Sequence, residues 1–115
     1  MLIITMDINE LKQYVKKRFD EADMKAYNEA YYFDNHLIHV FNIADKLQKK
    51  YGGNKKVILI SSLLHDIGLL EDSNIKNHEK NGAVFAKEFL KNKLDKKEIE
   101  SICNCIECHD CNNKK

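Results

Sequence analysis

The sequence predicts an all-α fold: a single domain over residues 1–115, built as a bundle of about five helices. Three observations predict it. The 115 residues include no Pro and only four Gly, so helix-breaking residues are scarce. Apolar residues recur at three- and four-residue spacing in separate stretches, whereas period-two alternation is rare. Hydrophobic residues make up 43% and charged residues 32%, which supplies one core and a solvated surface for a chain of this length.

The first helical stretch runs from about Asp7 to Met24, with Ile8, Leu11, Val15 and Phe19 as its apolar stripe. The second runs from about Asp34 to Tyr51. Its expected stripe is Val40, Ile43, Ala44 and Leu47, and Gly52-Gly53 ends it. The third, from about Lys55 to Asp66, is apolar nearly all round, which suits a helix in the middle of a bundle. Its β-branched run also fits a buried strand. Gly68 breaks the pattern, and a polar loop, Glu71 to Asn77, follows. The fourth stretch runs from about His78 to Lys93, with Gly82, Phe85, Ala86 and Phe89 on one side. The fifth opens with Asp95 as N-cap, Glu98 three positions on, and Leu94 placed to staple onto Ile99. It carries Ile102, Cys103 and Ile106 and is expected to end near Cys111.

Composition also excludes. The net charge is +1, so no global field recruits a nucleic-acid polymer or an anionic membrane. The longest apolar stretch, Val57 to Leu64, falls far below the roughly 20 residues that span a bilayer. Met1 to Met6 is apolar but lacks a basic flank and a cleavage site, so no signal peptide is expected and the expected location is cytoplasmic. The four cysteines all lie between Cys103 and Cys111, too close to staple distant loops. On a helix Cys105, Cys108 and Cys111 fall roughly on one side while Cys103 points elsewhere. A tetrahedral zinc site would require unwinding, so they read as small, semi-apolar helix residues.

The histidines carry the functional signal. Successive helical residues turn by about 100°. On that wheel His36 lies in line with Val40, Ile43 and Leu47, and His65-Asp66 ends the most apolar helix. His78 is in register with Gly82, Phe85, Ala86 and Phe89, and His109 continues Ile99, Ile102 and Ile106. One imidazole on an apolar face is ordinarily a hydrogen-bonded core residue. Four of them converging are better satisfied together by a metal ion, because unpaired buried polar groups are costly. Asp66 supplies the carboxylate that a divalent ion needs. His39, about 60° from His36 on the wheel, reads as a supporting residue.

These residues resemble the HD-domain superfamily over roughly Phe33 to Asp110. Asp34-Asn35-His36-Leu37-Ile38-His39-Val40 resembles its first ligand helix, with His39 in the place of a basic residue. Ser62-Leu63-Leu64-His65-Asp66-Ile67-Gly68 looks like the central signature, and His78-Glu79-Lys80-Asn81-Gly82-Ala83 resembles the third block. Ile102 to His109 resembles a block that ends in a further His. The resemblance implies a helical bundle and a divalent metal ion held by His36, His65 and Asp66. It also implies that His78 and His109 hold a second ion or contact substrate phosphate. The implied activity is hydrolysis of a small phosphomonoester or phosphodiester, such as a nucleotide. In the family a last metal-binding Asp normally lies beyond the block of His109. Here only Asp110 is available, so the expectation is a form shortened at its C-terminus.

Imidazole and carboxylate donors suit Mn, Fe, Co, Ni or Zn. In the implied mechanism Asp66, His78 and His109 are the catalytic residues around a metal-activated water. Lys76 and Lys80 read as solvated charges. Two alternatives accompany the hydrolase. One is a catalytically degenerate module that binds a nucleotide or a partner protein; the other is the di-iron oxygenase chemistry of some relatives.

Overall fold

A computed structural model describes residues 7–22, 33–70 and 78–108 of the chain. Every regular element among them is helical. Helix α1 (Ile8–Ala22) starts where the Asp7 carboxylate accepts the backbone N–H groups of Asn9 (2.8 Å) and Glu10 (3.3 Å). Those donors have no partner inside the helix, so the cap satisfies them. As the spacing predicts, Leu11, Val15 and Phe19 are buried and Ile8 packs beside them.

The second stretch departs from expectation. Phe33–Leu37 forms a π-helical turn, and α2 (Ile38–Tyr51) continues from it. The buried line is Phe33, Leu37 and Phe41, with Ala44 partly buried. The expected line of Val40, Ile43 and Leu47 lies one residue back, about 100° around the helix. Ile43 is 58% and Leu47 51% exposed. Both lines are apolar, and the one bearing two phenylalanines removes more area from water when it turns inward. Lys16 of α1 ties the two elements together: its ammonium meets Asp20 at 2.9 Å and Asp34 of the π turn at 3.2 Å. The hydrogen bonds that it donates to Asp20 and Asp34 hold its pKa above the ordinary lysine value. Gly52 and Gly53 end α2 at φ 83° and 102°, where a side chain would strain the backbone.

Helix α3 (Lys55–Leu64) is the centre of the bundle and packs against α1, α2 and α5 (Lys96–Glu107). Asn54 caps it by accepting from Val57 N–H at 3.1 Å, and its amide donates to Glu98 of α5 at 3.3 Å. The segment is an α-helix and not the alternative strand, and its residues 59–64 are all buried, as suits a helix surrounded by protein. The helix ends at Leu64, sooner than expected. The chain then turns through His65-Asp66 into a 3-10 helix, Ile67–Leu70.

Helices α4 (His78–Leu90) and α5 (Lys96–Glu107) pack as a hairpin. Asn92 (φ 68°) makes the reversal, a conformation that Asn tolerates. Helix α4 buries His78, Gly82, Ala83, Ala86 and Leu90. Phe85 and Phe89, expected on the inward side, sit half-buried at its edge, where Tyr14 of α1 stacks on Phe89 with centroids 5.0 Å apart. Asp95 caps α5 as predicted, accepting from Glu98 N–H at 2.8 Å, and Ile102 and Ile106 are wholly buried. The expected loop 71–77, the end of the first stretch at Met24 and the extension to Cys111 lie outside the described residues. No described helix is long and apolar enough to cross a membrane.

Candidate metal centre

The π turn contributes His36, the end of α3 contributes His65 and Asp66, and the first position of α4 contributes His78. Asp66 stands at their centre. Its Oδ2 lies 3.0 Å from His65 Nε2 and 3.4 Å from His36 Nε2. Its Oδ1 lies 3.5 Å from His78 Nε2. The donor atoms of His36, His65 and Asp66 all fall within 4.8 Å of one another. The Asp66 side chain is 8% exposed and that of His78 9%, against 14% for His65 and 44% for His36. The group is therefore open on the side of the π turn and closed beneath.

The donor chemistry fits a divalent ion. His65 Nδ1 lies 2.7 Å from the Ser62 carbonyl oxygen. A carbonyl only accepts, so Nδ1 carries the hydrogen and donates it. When the ring is neutral, Nε2 turns its electron pair toward Asp66 Oδ2. Two such atoms 3.0 Å apart repel unless a proton or cation lies between them. Two donors each about 2.1 Å from one ion, separated by right to tetrahedral angles, are roughly 3.0–3.4 Å apart. The Asp66 distances to His65 and His36 match that bite. Three protein ligands leave coordination positions open for water or substrate.

Glycine brings His78 to this point. A Cβ built on Gly68 would lie 1.9 Å from the His78 carbonyl oxygen and 2.6 Å from Gly82 N. On the other side, a Cβ on Gly82 would meet Ile106 at 3.0 Å. The 3-10 helix after Asp66 therefore touches the first turn of α4 backbone to backbone.

Of the residues expected from sequence, His36, His65, Asp66 and His78 come together. His109, Asp110 and Lys76 lie outside the described residues. His39 and Lys80 are exposed, and His39 is not among the mutually close donors. Cys103 packs against the core with its thiol 3.5 Å from the Ala83 carbonyl, and Cys105 and Cys108 are exposed free thiols. Glu79 belongs to the block that begins at His78, but the sequence assigns it no role of its own. It is buried, and its Oε1 lies 3.8 Å from His78 Nδ1. The available signal was a carboxylate beside a candidate ligand in a first helical turn, where the helix dipole favours negative charge.

A helical bundle that gathers a His-Asp dipeptide, a His from the preceding helix and a His from the following one defines an all-α domain with a His/Asp group suited to metal. The HD-domain family model matches residues 33–114, and the chain belongs to that family. It is also similar to Ribonuclease Y of Finegoldia magna, at 39% identity over 75 residues, 64% of this chain. That stretch is 13% of the relative's length. No solved structure matches the chain.

Proposed function

We propose that the chain is a metal-dependent phosphohydrolase that cleaves a small phosphomonoester or phosphodiester by means of a metal-activated water. The observation that supports it is the meeting of His36, His65 and Asp66 around one point, with Asp66 buried and His36 open to solvent. A divalent ion bound there supplies a Lewis acid for phosphoryl oxygen and lowers the pKa of a bound water. His65 and Asp66 hold the ion from the rigid end of α3, and His36 completes the set from the exposed rim. Ser62 keeps His65 in the tautomer that offers Nε2. His78 and His109 contact substrate phosphate or contribute to a second ion, with Asp66 presenting Oδ1 on the His78 side.

The relative's name denotes a ribonuclease, which favours a phosphodiester over a phosphomonoester. The near-neutral chain supplies no strong field for a long polyanion, so the reading keeps to a substrate of nucleotide size. We propose, further, that residues 1–115 form one domain.

The test is elemental analysis of protein purified without chelators, beside Asp66→Ala. It is followed by assays on p-nitrophenyl phosphate, bis-p-nitrophenyl phosphate and a dinucleotide with Mn, Fe, Co, Ni or Zn. The expected result is stoichiometric metal and turnover in the wild type, and loss of both in Asp66→Ala with helical content retained. Full activity in Asp66→Ala, or a wild type that takes up none of these ions, would overturn the proposal.

A further inference from the structure

We infer that the outward face of α2 is a docking seam for an amphipathic helix of a partner protein, one whose apolar stripe is flanked by acidic side chains. The inference stands apart from the metal-centre reading. The π turn and α2 carry two apolar lines. Phe33, Leu37 and Phe41, continued by Ala44, turn into the core. Val40, Ile43, Leu47 and Tyr51 form the other. Ile43, Leu47 and Tyr51 are 58%, 51% and 73% exposed, and they are three of the four exposed large hydrophobics among the described residues. Single apolar side chains scattered over a surface need no explanation, but three on one line of one helix do.

The spacing from Val40 through Ile43 to Leu47, three residues and then four, is that of a seam between two helices. Such a stripe is narrower than the apolar face with which a helix joins a core or lies on a bilayer. The core already occupies the wider face of α2, so the width of the outward line fits one helix rather than a lipid surface. From Val40 to Tyr51 it runs about 16 Å, or three turns. Charge then selects the partner. Lys46 and Lys50 stand three positions after Ile43 and Leu47, about 60° round the helix on the side away from the core. Both are exposed. Asp45 takes Lys49 at 3.1 Å, but no carboxylate among the described residues meets Lys46 or Lys50. The Lys50 ammonium lies 5.2 Å from the centroid of the Tyr51 ring. Between Lys46 and Lys56 the chain has five lysines and no acidic residue, so this end of the bundle is cationic although the net charge is only +1. A second copy seated by antiparallel pairing of α2 would set lysines against lysines. Glutamates beside the partner's stripe would meet them instead, and flanking charges of this kind set partner choice. The stripe begins four residues after His36, which places the docked helix next to the open side of the candidate centre.

The probe is a synthetic three-heptad peptide with leucine along its seam and glutamate on both flanks, whose like charges keep it from pairing with itself. Its twin has lysine in place of every glutamate. Binding to the full chain is followed by fluorescence anisotropy of each labelled peptide. The acidic peptide is expected to bind saturably at one per chain and the basic twin not to bind. The double variant Ile43→Gln, Leu47→Gln should weaken binding by roughly tenfold or more. Both positions are exposed, so its circular dichroism should match the wild type. The charge reversal Lys46→Glu, Lys50→Glu should transfer the preference to the basic twin. No binding of the acidic peptide, equal binding of the two peptides, or binding unaffected by the glutamine variant would overturn the inference. So would a wild-type dimer in sedimentation that the glutamine variant dissociates, which would make a second copy the occupant. Retention of the wild type, but not of that variant, on phosphatidylserine vesicles would make it a lipid surface and would equally overturn the inference.

Discussion

Replacing Gly68 by Ala is the sharpest perturbation of the geometry that joins α4 to the His-Asp turn. The added methyl would sit 1.9 Å from the His78 carbonyl oxygen, whereas an ordinary contact begins at 3.4 Å. The backbones must part by about 1.5 Å, and no side-chain rotation relieves the clash because its partners are main-chain atoms. Overpacking of this kind costs about 1–3 kcal/mol. For a chain of this size that lowers Tm by roughly 4–12 °C. On the proposed metal-centre reading, ligand positions would tolerate only about 0.5 Å of error, so His78 would be carried away from Asp66. Gly82→Ala is the internal control. Its closest contact is the Ile106 methyl at 3.0 Å, which can yield, and Gly68 N lies at 3.4 Å. The assays are thermal unfolding of metal-free protein and metal titration of both variants. The expected order of damage is Gly68→Ala well above Gly82→Ala in both. Wild-type Tm and affinity in Gly68→Ala, or the reverse order, would refute steric control of this contact.

The remaining predictions concern register and thiol chemistry. Leu37→Ala should cost about 2–5 kcal/mol in chemical denaturation, because Leu37 is wholly buried, whereas Leu47→Ala, at 51% exposure, should stay within about 0.5 kcal/mol. Equal costs would reinstate the line of Val40, Ile43 and Leu47 as the inward face. Burial pushes the Cys103 thiol above its ordinary value of 9.0, with Lys87 opposing, so its thiolate forms at higher pH than in the unfolded chain. Any stability from this group is complete below the unfolded-state pKa and is lost as pH rises through the folded one. Iodoacetamide labelling read by mass spectrometry should therefore modify Cys105 and Cys108 before Cys103, and labelling of Cys103 first would contradict its burial.

Much of this architecture was legible because local and long-range signals agreed. Asp95 with Glu98 marks the start of α5, and the all-round apolar α3 had to lie at the centre. Helix α2 misled because it carries two adjacent apolar lines. Periodicity finds both and does not choose between them; side-chain size and packing against α1 and α3 make the choice. The inward positions of Phe85 and Phe89 failed for a related reason. Small residues, Gly82, Ala83 and Ala86, let α4 approach closely, and the rings are displaced to its flank. At the candidate site, His36, His65, Asp66 and His78 could be named from the chain. Glu79 could not, since a glutamate next to lysine on a helix is ordinarily a solvated charge.

Exposure falls across the centre from 44% at the His36 side chain to 8% at Asp66. On the metal-centre reading proposed above, His36 is the donor within reach of solvent and Asp66 the one shielded from it, so the rim imidazole would control exchange and the buried carboxylate retention. The short π-helical turn that carries His36 would then be the latch of the site, and the end of α3 its seat.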